Sequence, residues 1–489
     1  MTNRKKVIIE NWWRLKTLFL ILLVSWVIGL IATGCANFSV QQTFSEISTV
    51  TKQQTSHQLK MGALSSAKRE EMLSQPLDLQ RTVQMALLNN RSLQASFQRL
   101  GIDQAEWVAS GIWSNPSLHF SLHTDWPNEH AHSAESEMVI SMDIADLLFN
   151  PKQQAIQKYY VKMTAHQIRA EVIDLISQTE QAYHQLVTDW YRMEVHRQIV
   201  LANEAATDFA TGLFQAGNLT RLDFLQQTSI YQQAKLSLLT VEDDYRRSRE
   251  RLNQLMGLWG KDINWQIQPS DLPLPLLETS IKSNNLSQIE NQAVEANINL
   301  KIQKQEINLI RKQISLEQRR GLLPHFEIGM ETASGQTEKK IGPLIGLALP
   351  IFNRGQAQKS MLESREKNLE HSYYQTAVEV RSRARILKAE LISAKRVVDF
   401  YQNQVLPGQN QILEQQQLQY NAMQIGTIRL LEARQQLAKH QLDYFQAGYN
   451  YLIKASQLRQ LLNGRLPSEE DQQPTHNKKI EIEYSDGAH

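Results

Sequence analysis

The chain has little with which to cross-link itself or perform covalent chemistry. Among its 489 residues stands a single cysteine, Cys35, so no intramolecular disulfide can staple the fold. There is no Walker-type phosphate loop, no Gly-x-Ser-x-Gly elbow, no His-Glu-x-x-His helix and no cysteine pair. The usual sequence marks of an enzyme are therefore missing, and no cofactor is implied. Nor is there an excess of charge: 52 basic side chains stand against 50 acidic ones, which argues against a nucleic-acid partner.

The one long apolar run lies near the N-terminus, from Leu18 to Ile31, behind Arg4, Lys5, Lys6, Arg14 and Lys16. A basic region, an apolar stretch of about 15 residues and the small residues Ala32-Thr33-Gly34 predict an export signal over 1–34 rather than a spanning helix. Cys35, directly after it, resembles the acylated cysteine of the bacterial lipoprotein box. Ala36 is not the aspartate of inner-membrane retention, so the outer membrane is implied for the N-terminal extension, 35–76.

What is present after that is present twice. Asn89-Asn90-Arg91-Ser92-Leu93 returns as Asn297-Ile298-Asn299-Leu300, and Leu148-Phe149-Asn150 returns as Ile351-Phe352-Asn353. Ala216-Gly217-Asn218-Leu219 returns as Ile425-Gly426-Thr427-Ile428, about 205 residues later like the others. Gln254-Leu255-Met256-Gly257 closes one copy, and Gln460-Leu461-Leu462-Asn463-Gly464 the other. Length alone would suggest two or three domains; the duplication makes them two halves of one architecture, 77–257 and 285–464. Between them lies a connector, 258–284, with Pro269, Pro273 and Pro275, and a polar, disordered tail is expected over 465–489.

Periodicity gives each copy its parts. Val161, Ala165, Ile168, Val172, Leu175, Ala182, Leu186, Met193 and Val200 keep the seam spacing of a coiled coil, which predicts a helix from Lys152 to Gln215 roughly 95 Å long. Its counterpart runs from Gln356 to Met423 with a kink at Pro407-Gly408. Shorter helices are expected from Leu77 to Trp113, Leu219 to Met256, Ser287 to Arg319 and Ile428 to Leu462, about 50 Å each. Two end to end match one long helix. A mostly polar helix with a narrow apolar stripe suits a wall wetted on both sides.

Four short segments alternate instead. Leu118, Phe120, Leu122 and Trp126 face away from Ser117, His119, Ser121 and His123; Met138, Ile140, Met142 and Ile144 face away from Val139, Ser141, Asp143 and Ala145. Phe326, Ile328 and Met330 alternate with His325, Glu327, Gly329 and Glu331, and Ile341 to Leu349 forms the fourth. Each is about the length of a tilted transmembrane strand with one lipid face and one lumen face. Four strands cannot close a barrel, and an open edge in lipid leaves backbone groups unpaired. Three copies would supply twelve strands and a ring of long helices beneath them.

These elements in their order and duplication resemble the TolC-like outer membrane efflux proteins, over 77–464. The likeness is carried by Pro116-Ser117-Leu118 and Pro324-His325-Phe326 at strand entrances and by the corner Leu349-Pro350-Ile351-Phe352-Asn353-Arg354-Gly355. Tyr420 through Gly426, leading into Leu430-Leu431-Glu432-Ala433, completes it. The resemblance implies a mainly α fold with a small transmembrane β part: a long α-helical barrel plus a 12-stranded β-barrel completed by trimerisation, four strands per chain. It implies a passive homotrimeric duct in outer membrane lipid, working with an inner-membrane pump and a periplasmic adaptor in a tripartite efflux or type I secretion system. At the first corner, Leu147 to Lys152 replaces the usual glycine-rich turn.

The turns farthest from the strands are expected to form a periplasmic tip that contacts the adaptor through Gly217, Asn218, Gly426 and Thr427. Glycine suits positive φ there, and Asn218 or Thr427 can cap the next helix. Arg221, Asp223, Arg429 and Glu432 are candidate gate charges, pairing between copies and released by a shear-type opening. His119 and His123, four apart on a strand and so roughly 13 Å apart, are too distant to share an ion. His130 and His132 lie on a loop, and no metal site is expected. The alternative that these patterns leave is a structural coiled-coil lipoprotein of the periplasm with no pore.

Overall fold

The structure, a computed structural model, describes residues 40–62, 64–124, 134–267, 286–334 and 339–467. The export segment, Cys35, Trp126, His130, His132, the three connector prolines and the tail beyond 467 lie outside the described residues. The extension forms α1 (Val40–Thr55) and α2 (Ser66–Leu73). The first copy runs α3 (Leu79–Asn89), α4 (Arg91–Ala109), β1 (Ser117–Thr124), β2 (Ala134–Asp143), α5 (Ile144–Gln215) and α6 (Arg221–Met256). The second repeats it as α7 (Leu286–Ala296), α8 (Ile298–Arg320), β3 (Phe326–Ser334), β4 (Lys339–Leu347), α9 (Gln356–Phe400), α10 (Leu406–Asn421) and α11 (Thr427–Leu462).

The helices expected over 77–113 and 287–319 are each broken in two. Asn90 and Asn297 leave the helix with ψ of 120° and cap α4 and α8, their Oδ1 atoms accepting from Leu93 N at 3.0 Å and Leu300 N at 2.9 Å. The recurring asparagines therefore mark a break, and each break meets the recurring glycine of its own copy. Asn89 Nδ2 donates to the carbonyls of Met256 and Gly257, and Asn90 Nδ2 to that of Leu255, which serves the otherwise unpaired end of α6. In the second copy Ile298 N donates to Gly464 O at 2.8 Å. Gly257 (φ 65°) and Gly464 (φ 106°) are both left-handed, and a Cβ there would stand 2.8 Å from Asn89 O and 2.4 Å from Ala296 O.

The first long helix starts earlier than expected, and the second changes its hydrogen-bond ladder just before Pro407. Residues 147–152 form no corner: Asp143 ends β2 and caps α5, accepting from Ala145 N at 2.8 Å, so Ile144 and Ala145 are helical rather than extended. The helix then runs 72 residues through Pro151, about 108 Å at 1.5 Å per residue. At Pro407 there is a π-turn, Tyr401–Val405, in which Leu406 N reaches back to Tyr401 O. Widening the ladder by one residue just before an imino acid with no N–H lets α9 continue into α10.

The four strands make one antiparallel meander, β1-β2-β3-β4, with β2 and β3 joining the copies. Below it α5 packs against α4 and α6 of its own copy and α8 and α11 of the other, so the halves interleave. Asp174 on α5 holds the Arg465 guanidinium in a fork, accepting from Nε on Oδ1 at 3.0 Å and from Nη2 on Oδ2 at 2.6 Å, a geometry suited to a strong charge-assisted pair. The main core gathers Met85, Leu87, Phe97, Leu100, Leu186 and Met256 with Ile47, Leu59 and Leu64 of the extension and Trp265 of the connector. A smaller one in the second copy holds Ile289, Ala293, Val380, Leu387, Leu458 and Leu461, and a third, at the foot of the sheet, holds Phe149, Leu309, Ile310 and Leu362.

Candidate duct and its tip

The register of the sheet sorts its side chains onto two faces, because directly opposed residues point the same way. Leu118, Ile140, Met330 and Pro343 form one row across all four strands; Phe120, Met138 and Ile341 share another with Thr332. Met142, Ile328 and Ile345 form a third. Leu118, Phe120 and Ile345 expose 64, 68 and 70 % of their surface, far more contiguous apolar area than water tolerates on one chain. The opposite face carries His119, Ser121, Glu137, Glu327, Glu331 and Lys340. At its foot His325 stands between two carboxylates, Nδ1 at 2.9 Å from Asp143 and Nε2 at 3.6 Å from Glu327. Among the described residues no helix is long and apolar enough to cross a membrane, and neither outer edge, β1 nor β4, has a partner strand.

At the other end the two turns close differently. Gly217 (φ 75°) ends α5, with Asn218 N donating to Leu213 O at 2.8 Å. Thr220, not Asn218, caps α6: Asp223 N donates to its Oγ1 at 3.1 Å and the hydroxyl donates to Asp223 Oδ2 at 2.7 Å. Asp223 is thus engaged locally, by its own N-cap residue. In the second turn the left-handed residue is Met423 (φ 58°), not Gly426, which is extended (φ −82°). Gly426 sits at the N-cap position without a side-chain bond, so Thr427 begins α11 without capping it. Arg221, Arg429 and Glu432 make no ion pair within the chain among the described residues.

The structure brings these turns together. Gly426 and Thr427 face Asp223 and Leu219 across a cavity of about 310 Å³ floored by Phe209, Leu213 and Leu431. The groove was not read from the sequence, although Phe209 and Leu213 sit one turn apart at the end of the α5 seam. His119 and His123 lie on the polar face of β1, as the alternation requires.

Residues 82–258 match the family model described as outer membrane efflux protein. The fold carries the likeness through both copies. The CmeC outer membrane channel of Campylobacter jejuni superposes with a TM-score of 0.67 at 15% identity, covering 85% of this chain and 91% of that one. The outer membrane protein VceC of Vibrio cholerae gives 0.63 at 14% identity over 80% and 97%, and the open state of the Neisseria gonorrhoeae MtrE outer membrane channel 0.62 at 14% over 79% and 89%. Over residues 82–258 the chain is similar in sequence to the outer membrane efflux protein family, and the solved channels share its fold. No curated protein matches it in sequence. That family is one of channels, not an enzyme class.

Proposed function

We propose that this chain is an outer membrane efflux protein, three copies of which form a passive duct from periplasm to exterior, coupled through a periplasmic adaptor to an inner-membrane pump in a tripartite efflux or type I secretion system. The observation that carries this reading is a one-faced sheet of four strands, open at β1 and β4, mounted on helices roughly 100 Å long. Pairing β1 of one copy with β4 of the next gives twelve strands and removes both edges, which in lipid would each leave a row of unpaired backbone groups. On the helices, exposed Leu222, Leu225, Leu236 and Leu239 of α6 and Tyr374 and Val378 of α9 supply apolar surface for the neighbouring copy.

The tip residues Gly217 and Asn218, with the groove that Gly426 and Thr427 line, are the adaptor's seat in this reading, and Arg221, Arg429 and Glu432 pair between copies as a gate. Cys35 carries the lipid anchor: α1 starts five residues after it. The two copies act as one domain pair, 77–257 and 285–464, joined by the connector. Heat-modifiable trimers on a gel and single-channel conductance in planar bilayers are expected. A non-conducting monomer after removal of the lipid would instead support the pore-less coiled-coil alternative. Asn218→Cys should cross-link to adaptor in cells, whereas Leu118→Cys should not.

A further inference from the structure

A second cavity, of about 670 Å³, lies between the extension helix α1 and the first third of α5, far from the tip groove. Its volume is in the ~300–1,000 Å³ range of small-molecule sites. The roof is anchored on both sides: Phe44 meets Phe97 edge-on at 5.1 Å, and Arg169 donates to Gln54 Oε1 at 3.2 Å. Ile47, Val50, Trp107 and Val161 give it an apolar floor.

Along α5, Lys158, Lys162, His166 and Arg169 line the same cavity at successive turns, so their heads share one helical stripe. Lys162 also lies 5.7 Å from the Tyr159 ring, and Lys301 of α8, behind the stripe, donates to Ala296 O at 3.2 Å. Among the described residues no carboxylate forms an ion pair with any of these side chains; Glu46, the acidic residue of the lining, stands on α1. Two nitrogens at the cavity are buried without a hydrogen-bond partner among the described residues, His166 Nδ1 and Arg169 Nε. Burial, reinforced by Arg169, Lys301 and Lys162, pushes the His166 imidazole down to about 4, so it is neutral and has a ring nitrogen to offer. A row of cations with unserved donors above an apolar floor has the complement of an anionic head on an apolar tail.

We propose that this cleft binds a single-chain anionic lipid, its carboxylate or phosphate head on Arg169, His166 and Lys162 and its chain along Trp107, Ile47 and Val161. His166 contributes as the Nδ1–H tautomer, and the extension is the lid that makes the site. The head group is read by charge and donors, the chain by the floor.

Native mass spectrometry of the full-length protein released from neutral detergent tests this with four probes. Laurate should be retained at one per chain. Dodecanol, with the chain but no charge, and inorganic phosphate, with charge but no chain, should each bind at least tenfold more weakly. Myristoyl lysophosphatidylglycerol should also be retained; tighter retention than laurate assigns a phosphate head, and weaker retention a carboxylate. Arg169→Gln should weaken laurate binding about tenfold, and so should Lys162→Gln, an exposed position whose replacement leaves the fold intact. Equal binding of dodecanol, equal binding of phosphate, or unchanged laurate binding in Lys162→Gln would overturn the proposal. A protein that conducts but retains no laurate would also overturn it while leaving the duct reading standing.

Discussion

In the first copy the α3–α4 pair is closed over by a large core in which Phe97, Leu100, Leu186 and Met256 meet Ile47, Leu59 and Leu64 of the extension and Trp265 of the connector. In the second copy Ile289, Ala293, Leu387 and Leu458 make a smaller core, against which Leu466 packs from beyond the repeat, and no described helix from outside the repeat is laid across it. There Tyr374, Val378 and Phe400 stay exposed along α9 and its end. The same chain path is therefore stabilised in two ways. One half carries its own buttress, and the other keeps apolar surface free. The residues that match the family model, 82–258, are those of the buttressed half.

The largest test of this contrast is Trp265→Ala. The indole is fully buried, donates to Asn253 Oδ1 at 2.8 Å and lies under the Arg249 guanidinium at 4.1 Å, so its loss should cost about 3–5 kcal/mol in chemical or thermal unfolding. An unchanged melting temperature would remove the buttress from the account. Next come the joints that close each copy. Gly464→Ala should cost on the order of 3 kcal/mol and Gly257→Ala somewhat less, because the second glycine has the larger positive φ and the tighter approach to a backbone carbonyl. The reverse order would show that φ and the approach to the carbonyl do not set the cost at these joints.

His184 sharpens the comparison across the copies, since it sits on α5 beside Arg459 of α11. Burial, with that guanidinium adding to it, pushes its imidazole down to about 4. The unfolded chain, with its ordinary value near 6.5, binds the proton first. His184's contribution is therefore whole above about pH 6.5 and falls as pH drops toward 4, by up to ~3 kcal/mol. His184→Gln should flatten the stability profile over that window and leave it unchanged at pH 8. The smallest effect is at the tip. Thr220→Ala should cost about 1 kcal/mol of local stability and Thr427→Ala close to none, readable as hydrogen exchange at the start of α6 and α11.

Much of this was legible before any coordinates. The alternation of Leu118, Phe120 and Leu122 with His119 and Ser121 needs only a period of two, and the register then put most of the large apolar residues on one face, Val139 being an exception. The long seam through Val172 and Leu186 was equally plain. What escaped were features in which a local rule is overridden by a distant partner. Asn90 and Asn297 look like ordinary helix residues until Leu255 or Gly464 is set beside them, and Pro151 looks like a corner until Asp143 is seen to cap the helix two turns earlier. Glycine was expected to take the left-handed turn at both tips, and at the second Met423 takes it.

The amino-acid order by itself determined the repeat, the helix and strand periods and the two faces of the sheet, because each depends on neighbours within a few residues. Tertiary structure alone decided where the helices break, which segments buttress them and how the two tips and the α1 cleft are assembled. Those outcomes depend on groups brought together from 50 to more than 200 residues apart, whose burial and hydrogen bonding no local pattern contains.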